Sequence, residues 1–262
     1  MRDALRSHWP EYLMEAAELA AFMISACAFG ALLEHPSSPV RQGLETPLLR
    51  QLLGGLAMGA TAVAIVYSPW GRRSGAHFNP AVTLTFLRLG KVKPWDALLY
   101  ILAQLAGGVL GVRVAALALG PLLRHPRVHY VVTVPGPWGA LPAFAAEVAM
   151  TFVLMSVVLW ATSHERLARC TGLFTAALIA TYITFESPVS GMSMNPARTF
   201  GSALPSGTWT GFWIYVVAPL TGMLLAAEVR RLLRARAAHC AKLMHDEKAR
   251  CIFCGQPAAA LG

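Results

Sequence analysis

Apolar positions along the chain gather into six runs separated by proline, glycine and charge clusters. The runs predict helices near Tyr12–Leu33, Leu48–Tyr67, Ala97–Gly120, Leu141–Thr162, Cys170–Phe185 and Trp209–Leu233. A helix needs roughly 20 residues to cross a bilayer core about 30 Å thick, so each run is a candidate crossing, the fifth being short. Two further apolar segments, around Asn79–Leu87 and Asn195–Leu204, are helix-like but too short to span.

Composition narrows the class. The 262 residues are 56% hydrophobic and only 13% charged, with a mean hydropathy of +0.52. A soluble domain carries about 25% charged residues, so a soluble enzyme is excluded, and so is a solvated coil. The net charge of +9 and pI of about 9.8 need no nucleic acid as partner if the basic residues mark cytoplasmic loops. Met1 to Glu18 mixes acids and bases with few apolar runs, which predicts an anchor rather than a cleaved leader.

Sorting the 22 basic residues fixes the expected orientation. Arg2, Arg6, the five from Arg72 to Lys93, Arg166, Arg169 and the seven from Arg230 onward fall on one side. Arg41, Arg50, Arg124 and Arg127 fall on the other, and Arg113 and Arg198 lie at membrane depth. The bias predicts six crossings with both termini cytoplasmic, in the cell membrane. Arg113 reads as a residue snorkelling from a helix end. The five cysteines, at 27, 170, 240, 251 and 254, include none in an outside segment, so no disulfide framework is expected.

The chain also repeats itself. His77-Phe78-Asn79-Pro80-Ala81-Val82-Thr83 answers Ser193-Met194-Asn195-Pro196-Ala197-Arg198-Thr199. Downstream, Gln104-Leu105-Ala106-Gly107 answers Pro219-Leu220-Thr221-Gly222, at asparagine-to-glycine offsets of 28 and 27 residues. Three crossings per half reverse the second copy, giving an inverted repeat. Asparagine followed by proline is a helix start, the one capping and the other needing no N–H donor in the first turn. The non-helical Gly75–Phe78 and Gly191–Met194 before these starts survive at membrane depth only where they line a cavity or are buried in protein. The two short helices therefore enter from opposite faces and meet N-terminus to N-terminus. Each end carries about +0.5 elementary charge, and the asparagine amides can donate to a neutral solute there. Gly54-Gly55, Gly107-Gly108-Gly111 and Gly222 allow close helix approach.

On these motifs the sequence resembles the aquaporin, or major intrinsic protein, family across about residues 12–233. The resemblance implies an all-α membrane protein with six transmembrane helices plus two re-entrant half-helices in a 3+3 inverted repeat. It also implies a homotetramer with one pore per subunit, and passive transport without a cofactor. An arginine and positive half-helix ends form the barrier known for aquaporin-type pores. Arg198 matches the filter arginine, and offsets from the motifs carry over Met192, Ile183 and Gly59 as the other filter positions. Strict water channels typically hold an aromatic residue and a histidine where this chain has Gly59 and Ile183, so a wider, more apolar constriction is expected. Met192 can refill part of the gap. That suggests glycerol, urea or metalloid hydroxides, whereas Thr199 and Ala203 are water-channel-like and Tyr215-Val216 resembles nodulin-26-type members.

Glu147 lies four residues before Thr151 on one helix face. The family uses such a carboxylate to hold the re-entrant backbone, and its first-span equivalent is Glu15 or Glu18. His77 reads equally as a cytoplasmic-mouth residue or a satisfied structural one. In the tail, Arg230, Arg231, Arg234 and Arg236 suit anionic lipid heads. His239, Cys240, His245, Cys251 and Cys254 follow, and Cys240, His245, Cys251 and Cys254 suit a tetrahedral zinc, with reduced or redox-active cysteines as the alternative. The chain thus divides into a cytoplasmic N-terminus (1–11), a first repeat (12–120), an external loop (121–140), a second repeat (141–233) and a cytoplasmic tail (234–262). The expected activity is a passive channel for water and small uncharged solutes that excludes ions and protons. A coupled transporter would place ionisable residues at the midplane, and a membrane enzyme would need a clustered nucleophile or metal set within the spans. Neither is evident.

Overall fold

The computed structural model describes residues 1–235, 238, 240–245 and 251–255; Arg236 and His239 lie outside the described residues. Among the described residues, eight helices of nine residues or more build the bundle. They are α1 (Arg2–Glu34), α2 (Pro47–Tyr67), α3 (Pro80–Arg88), α4 (Pro94–Leu119), α5 (Ala140–Thr162), α6 (Thr171–Phe185), α7 (Pro196–Ser206) and α8 (Ile214–Leu232). Proline opens α2, α3, α4 and α7, where its fixed φ suits the first turn. Four of them, α1, α2, α4 and α5, are long and apolar enough to cross a bilayer. Helix α6 has only 15 residues, and α8 ends in Glu228, Arg230 and Arg231.

Two element boundaries differ from the sequence reading. Residues 1–11 are not a separate segment, because α1 is helical from Arg2 and continues through Pro10. The extension is tied to the start of α4: the Tyr12 hydroxyl donates to Asp96 Oδ1 at 2.6 Å, and His8 Nδ1 lies 2.8 Å from the same oxygen. Helix α8 starts at Ile214 rather than Trp209, because Gly211 turns the chain in a left-handed conformation with φ 65°.

The packing follows the repeat. Helix α1 packs on α4 as α5 packs on α8, and α2 packs on α6. Half-helix α7 lies against α4 and half-helix α3 against α8, each on the last helix of the other repeat. Close approach depends on Gly107 and Gly222, the paired glycines of the repeat. A Cβ on Gly107 would stand 2.7 Å from the Ala16 carbonyl carbon, and one on Gly222 would stand 2.9 Å from the Phe152 nitrogen.

The outer surface fits lipid. Leu52, Leu56, Leu102, Leu110 and Leu117 are exposed along it. Trp9, Trp70, Trp95 and Trp160 are exposed near the end of the bundle where α1 begins, here called the terminal end; Trp138, Trp209 and Trp213 are exposed near the other. Tryptophan at two levels matches the aromatic belts of membrane interfaces. Arg113 is on the exposed surface of α4.

Candidate functional site

Both half-helices are capped by their own asparagine. The Asn79 Oδ1 accepts from the Ala81 N–H at 2.9 Å, and the Asn195 Oδ1 accepts from Ala197 and Arg198 N–H groups at 3.0 and 3.2 Å. With each oxygen held by its cap, each amide NH2 points across the junction. Asn79 Nδ2 donates to the Met194 carbonyl at 2.8 Å, and Asn195 Nδ2 donates to the Phe78 carbonyl at 2.7 Å. One of two N–H bonds on each amide thus locks the half-helices end to end, and both asparagines line the same cavity. Two positive helix ends and the remaining amide hydrogens form a site that favours a lone pair over a cation.

The approach to each asparagine is an extended loop with the same unusual backbone. Gly75, Ala76 and Phe78 have φ of 103°, 53° and 31°, while Gly191, Met192 and Met194 have 78°, 49° and 56°. A positive φ is costly for a side-chain-bearing residue and persists only where its surroundings fix it. Here one buried carboxylate fixes each loop. Glu15 accepts from the His77 N–H at 2.8 Å, from the Phe78 N–H at 2.7 Å and from Gln104 Nε2 at 2.7 Å. Glu147 accepts from the Ser193 and Met194 N–H groups, each at 2.7 Å, and from the Ser190 hydroxyl at 2.8 Å. Glu15, and not Glu18, is therefore the first-repeat carboxylate; Glu18 accepts from the Ser74 hydroxyl at 2.7 Å.

Two supporting residues were not read from the sequence. The Tyr100 hydroxyl donates to the Ser74 carbonyl at 2.7 Å and the Tyr215 hydroxyl to the Ser190 carbonyl at 2.5 Å. Their signal is the Ser-Gly pair that begins five residues ahead of each asparagine, Ser74-Gly75 and Ser190-Gly191.

A cavity of about 440 Å³ runs through the bundle from Glu34, Arg50 and Arg127 at one end, past both asparagines, to Leu243 at the terminal end. Val82, Leu154, Met155, Val158 and Ile179 give it apolar walls. Three of the four filter positions read from the sequence, Arg198, Met192 and Ile183, line it. Gly59 does not: a Cβ there would meet the Ala176 carbonyl of α6 at 2.9 Å. Its neighbour Met58 lines the cavity instead. One residue turns a helix by about 100°, so an offset miscounted by one through the Pro69–Ser74 turn exchanges a wall residue for a packing residue. Arg198 makes no ion pair among the described residues, and its buried Nη1 has no protein partner there. Thr199 and Ala203 are buried, and Thr199 Oγ1 is engaged with Thr133 and Ser193 rather than with the lumen.

The wall assignment predicts a contrast between adjacent residues. Met58→Trp should lower glycerol permeability about tenfold, the effect of raising the barrier by about 1.4 kcal/mol, while leaving the thermal midpoint close to that of the parent. Gly59→Val should instead lower the midpoint, because its side chain would press on α6. Solute flux and unfolding of both variants, measured in parallel, check the assignment; the reverse pattern would return Gly59 to the lumen.

His77 both lines the cavity and is a hydrogen-bonded structural residue. It is buried with Nδ1 3.1 Å from Thr83 Oγ1 and Nε2 donating to the Ala241 carbonyl at 2.6 Å. The tail thus reaches the first loop. Its four candidate ligands, Cys240, His245, Cys251 and Cys254, have their ligating atoms within 4.8 Å of one another. The Cys240 and Cys251 sulfurs lie 3.3 Å apart; the hydrogen bond between them pushes Cys251 below the ordinary thiol value and Cys240 above it. Arg230 and Arg231 are engaged within the protein, the one donating to Ser163 Oγ and the other pairing with Glu228.

Comparison with known proteins places these features in context. The family model described as Major intrinsic protein matches residues 8–229. A Zea mays protein described as aquaporin NIP1-1 is 39% identical over 181 residues, covering 68% of this chain and 62% of that protein. A Nicotiana alata protein described as a probable aquaporin of NIP type is 36% identical over 179 residues, covering 68% and 64%. The chain thus spans a little over three-fifths of the length of these curated relatives. The solved aquaglyceroporin from Plasmodium falciparum superposes with a TM-score of 0.68 over 86% of this chain and 96% of that one, at 21% identity, a likeness of fold.

Proposed function

The chain belongs to the major intrinsic protein family, a family of membrane channels, and from that premise we propose that it is a passive pore for water and small uncharged solutes that excludes ions and protons. The observation that carries this reading is the reciprocal locking of Asn79 and Asn195 in the wall of a lengthwise cavity that also contains Arg198. Two positive helix ends and an arginine without a carboxylate partner among the described residues oppose cations, while the amide hydrogens bond the oxygen of a neutral solute. Among the described residues, the ionisable side chains lining the cavity beyond Glu34, Arg50 and Arg127 at its one end are Arg198 and, at the terminal mouth, His77. A coupled transporter would be expected to carry a more extended relay.

The solute class follows from Met58, Ile183, Met192 and Arg198 as lining residues of the cavity. Three flexible or branched apolar side chains with one arginine suit a molecule with a hydroxyl edge and a carbon edge, as in glycerol, or a small neutral hydroxide. We read the protein as a homotetramer in the cell membrane, with the terminal end cytoplasmic. The basic residues concentrated at that end support this orientation.

Stopped-flow light scattering on proteoliposomes tests the reading, with the protein both as purified and treated with a zinc chelator, because the tail lies across one mouth. Water and glycerol are expected to move faster than through empty liposomes in at least one state. Equal rates for water and every neutral solute in both states would refute it.

A further inference from the structure

The tail chain enters the end of the cavity, and it does so with the residues that lie between the four cysteine and histidine side chains. Leu243 lines the cavity at its terminal end, and its N–H donates to the Gly75 carbonyl at 3.1 Å. Ala241 accepts from His77, and Lys242 Nζ donates to the Arg72 carbonyl at 2.8 Å. Phe253, between Cys251 and Cys254, stacks on His77 with ring centres 5.6 Å apart and planes 8° from parallel. The fit leaves no slack: a Cβ on Gly75 would stand 3.0 Å from the Ala241 carbonyl oxygen and 3.2 Å from the Phe253 ring. Residues 241–243 are as buried as the core of the bundle.

No helix or strand holds the described residues of this tail in shape. Segments of this size need a staple to keep one conformation. The four side chains supply the donors for one. Tetrahedral zinc with sulfur at about 2.3 Å and imidazole nitrogen at about 2.0 Å sets ligand-to-ligand edges of about 3.8 and 3.5 Å. Cys240 and Cys251 stand at 3.3 Å, His245 Nε2 and Cys254 Sγ stand at 3.4 Å, and no pair exceeds 4.8 Å. Closing the set on one ion therefore needs shifts of about 1 Å or less. Three thiolates and one imidazole are a donor set suited to zinc. On binding, the thiols release their protons to solvent while the imidazole stays neutral.

We propose that Cys240, His245, Cys251 and Cys254 bind one zinc ion, and that the zinc-held tail is a plug seated on His77 and Gly75 that shuts the terminal mouth of the pore. The gating half of this rests on the channel reading above; the metal half does not. The ligands bracket both segments that touch the mouth, with 241–243 between Cys240 and His245 and Ile252-Phe253 between Cys251 and Cys254. The ion therefore fixes the two contacts together, and its loss frees both. With this end facing the cytoplasm, the thiols stay reduced and open to the metal. The pore is closed when zinc is available and opened when zinc is withdrawn.

Elemental analysis of the full chain, purified in reducing buffer without chelator, should give one zinc per chain, and none for Cys251→Ser with Cys254→Ser. In proteoliposomes, osmotic water flux through the zinc-loaded chain should stay near that of empty liposomes. A membrane-permeant zinc chelator should raise it about tenfold, as expected for a population moved from mostly shut to mostly open, and added zinc should reverse the change. The serine variant should run at the high rate and ignore both reagents; chelation of the unaltered chain gives the same answer if that variant does not fold. Absence of zinc would overturn the metal site, and an intact mass lower by two hydrogens, with the linked peptides identified after digestion, would assign two of these cysteines to a disulfide instead. Bound zinc with equal, rapid flux before and after chelation would overturn the plug. No flux in any state would refute the channel reading itself, and the gate with it, while the zinc count would still decide the metal.

Discussion

Replacing Glu147 with leucine is expected to abolish assembly of the second re-entrant loop and with it the folded protein. The carboxylate receives the Ser193 and Met194 N–H groups and the Ser190 hydroxyl, all within 2.7–2.8 Å and all buried. A buried donor left without an acceptor costs about 1–3 kcal/mol, so the two stranded N–H groups cost roughly 2–6 kcal/mol, the Ser190 hydroxyl keeping Glu186 as an acceptor at 3.0 Å. The upper part of that range reaches the roughly 5–15 kcal/mol by which a folded domain exceeds its unfolded state. The loss is compounded because Met194, at φ 56°, loses its N–H acceptor, and Met192, at φ 49°, is held through its N–H by Ser190, whose own hydroxyl rests on Glu147. Glu147→Gln should retain about a third to a half of the effect, since its carbonyl oxygen still accepts while its NH2 confronts a donor. Glu15→Leu should fail as completely, because it strands the equivalent N–H groups of His77 and Phe78 and also Gln104. Thermal unfolding in detergent and the recovered monodisperse fraction measure both. A Glu147→Leu protein that unfolds within a few degrees of the parent would show that the loop is held by packing alone.

This symmetry marks the limit of what the sequence could reveal. The asparagine caps were legible because capping is local: an Asn-Pro pair specifies a helix start wherever it falls, and two copies in opposite orientations specify where the starts meet. The choice between Glu15 and Glu18 was not, because three residues along a helix leave both on one face, differing by a rise of about 4.5 Å. Which of them meets the Phe78 N–H depends on the depth of a loop more than sixty residues away. Gly59 shows the same limit in rotation, since a position carried across the Pro69–Ser74 turn is only as good as its count to the single residue. His77 was undecidable for a further reason: its partner is the carbonyl of Ala241, and no periodicity in the chain indicates that the tail returns to the first loop. The zinc-type ligands were visible as residue types, whereas their meaning for the pore lies in Ala241, Lys242 and Leu243, which follow the first of them.

Removing the charge at position 198 should have the largest effect on selectivity. Among the described residues, Arg198 is the one arginine or lysine lining the cavity away from Arg50 and Arg127 at its end, and no carboxylate pairs with it there. At about 4 Å and an effective dielectric near 20, two unit charges repel by about 4 kcal/mol. That corresponds to about three powers of ten in cation occupancy. Arg198→Val removes this repulsion and widens the cavity lined by Met58, Ile183 and Met192, so sodium and proton leaks should rise by at least about tenfold, and neutral solutes larger than glycerol should begin to pass. The increase stays below the full Coulomb figure because the two half-helix ends, each about +0.5 elementary charge, remain in place behind the asparagines. Arg198→Lys separates charge from shape: an ammonium restores cation exclusion but not the planar fork that orients a hydroxylated solute, so ion leak should fall again while glycerol selectivity does not return. Dye-reported proton and sodium entry into chelator-treated proteoliposomes, beside solute flux in the same preparation, distinguishes these outcomes. If ion entry in Arg198→Val matches the parent, the barrier lies with the half-helix ends, and Arg198 serves the solute rather than the charge.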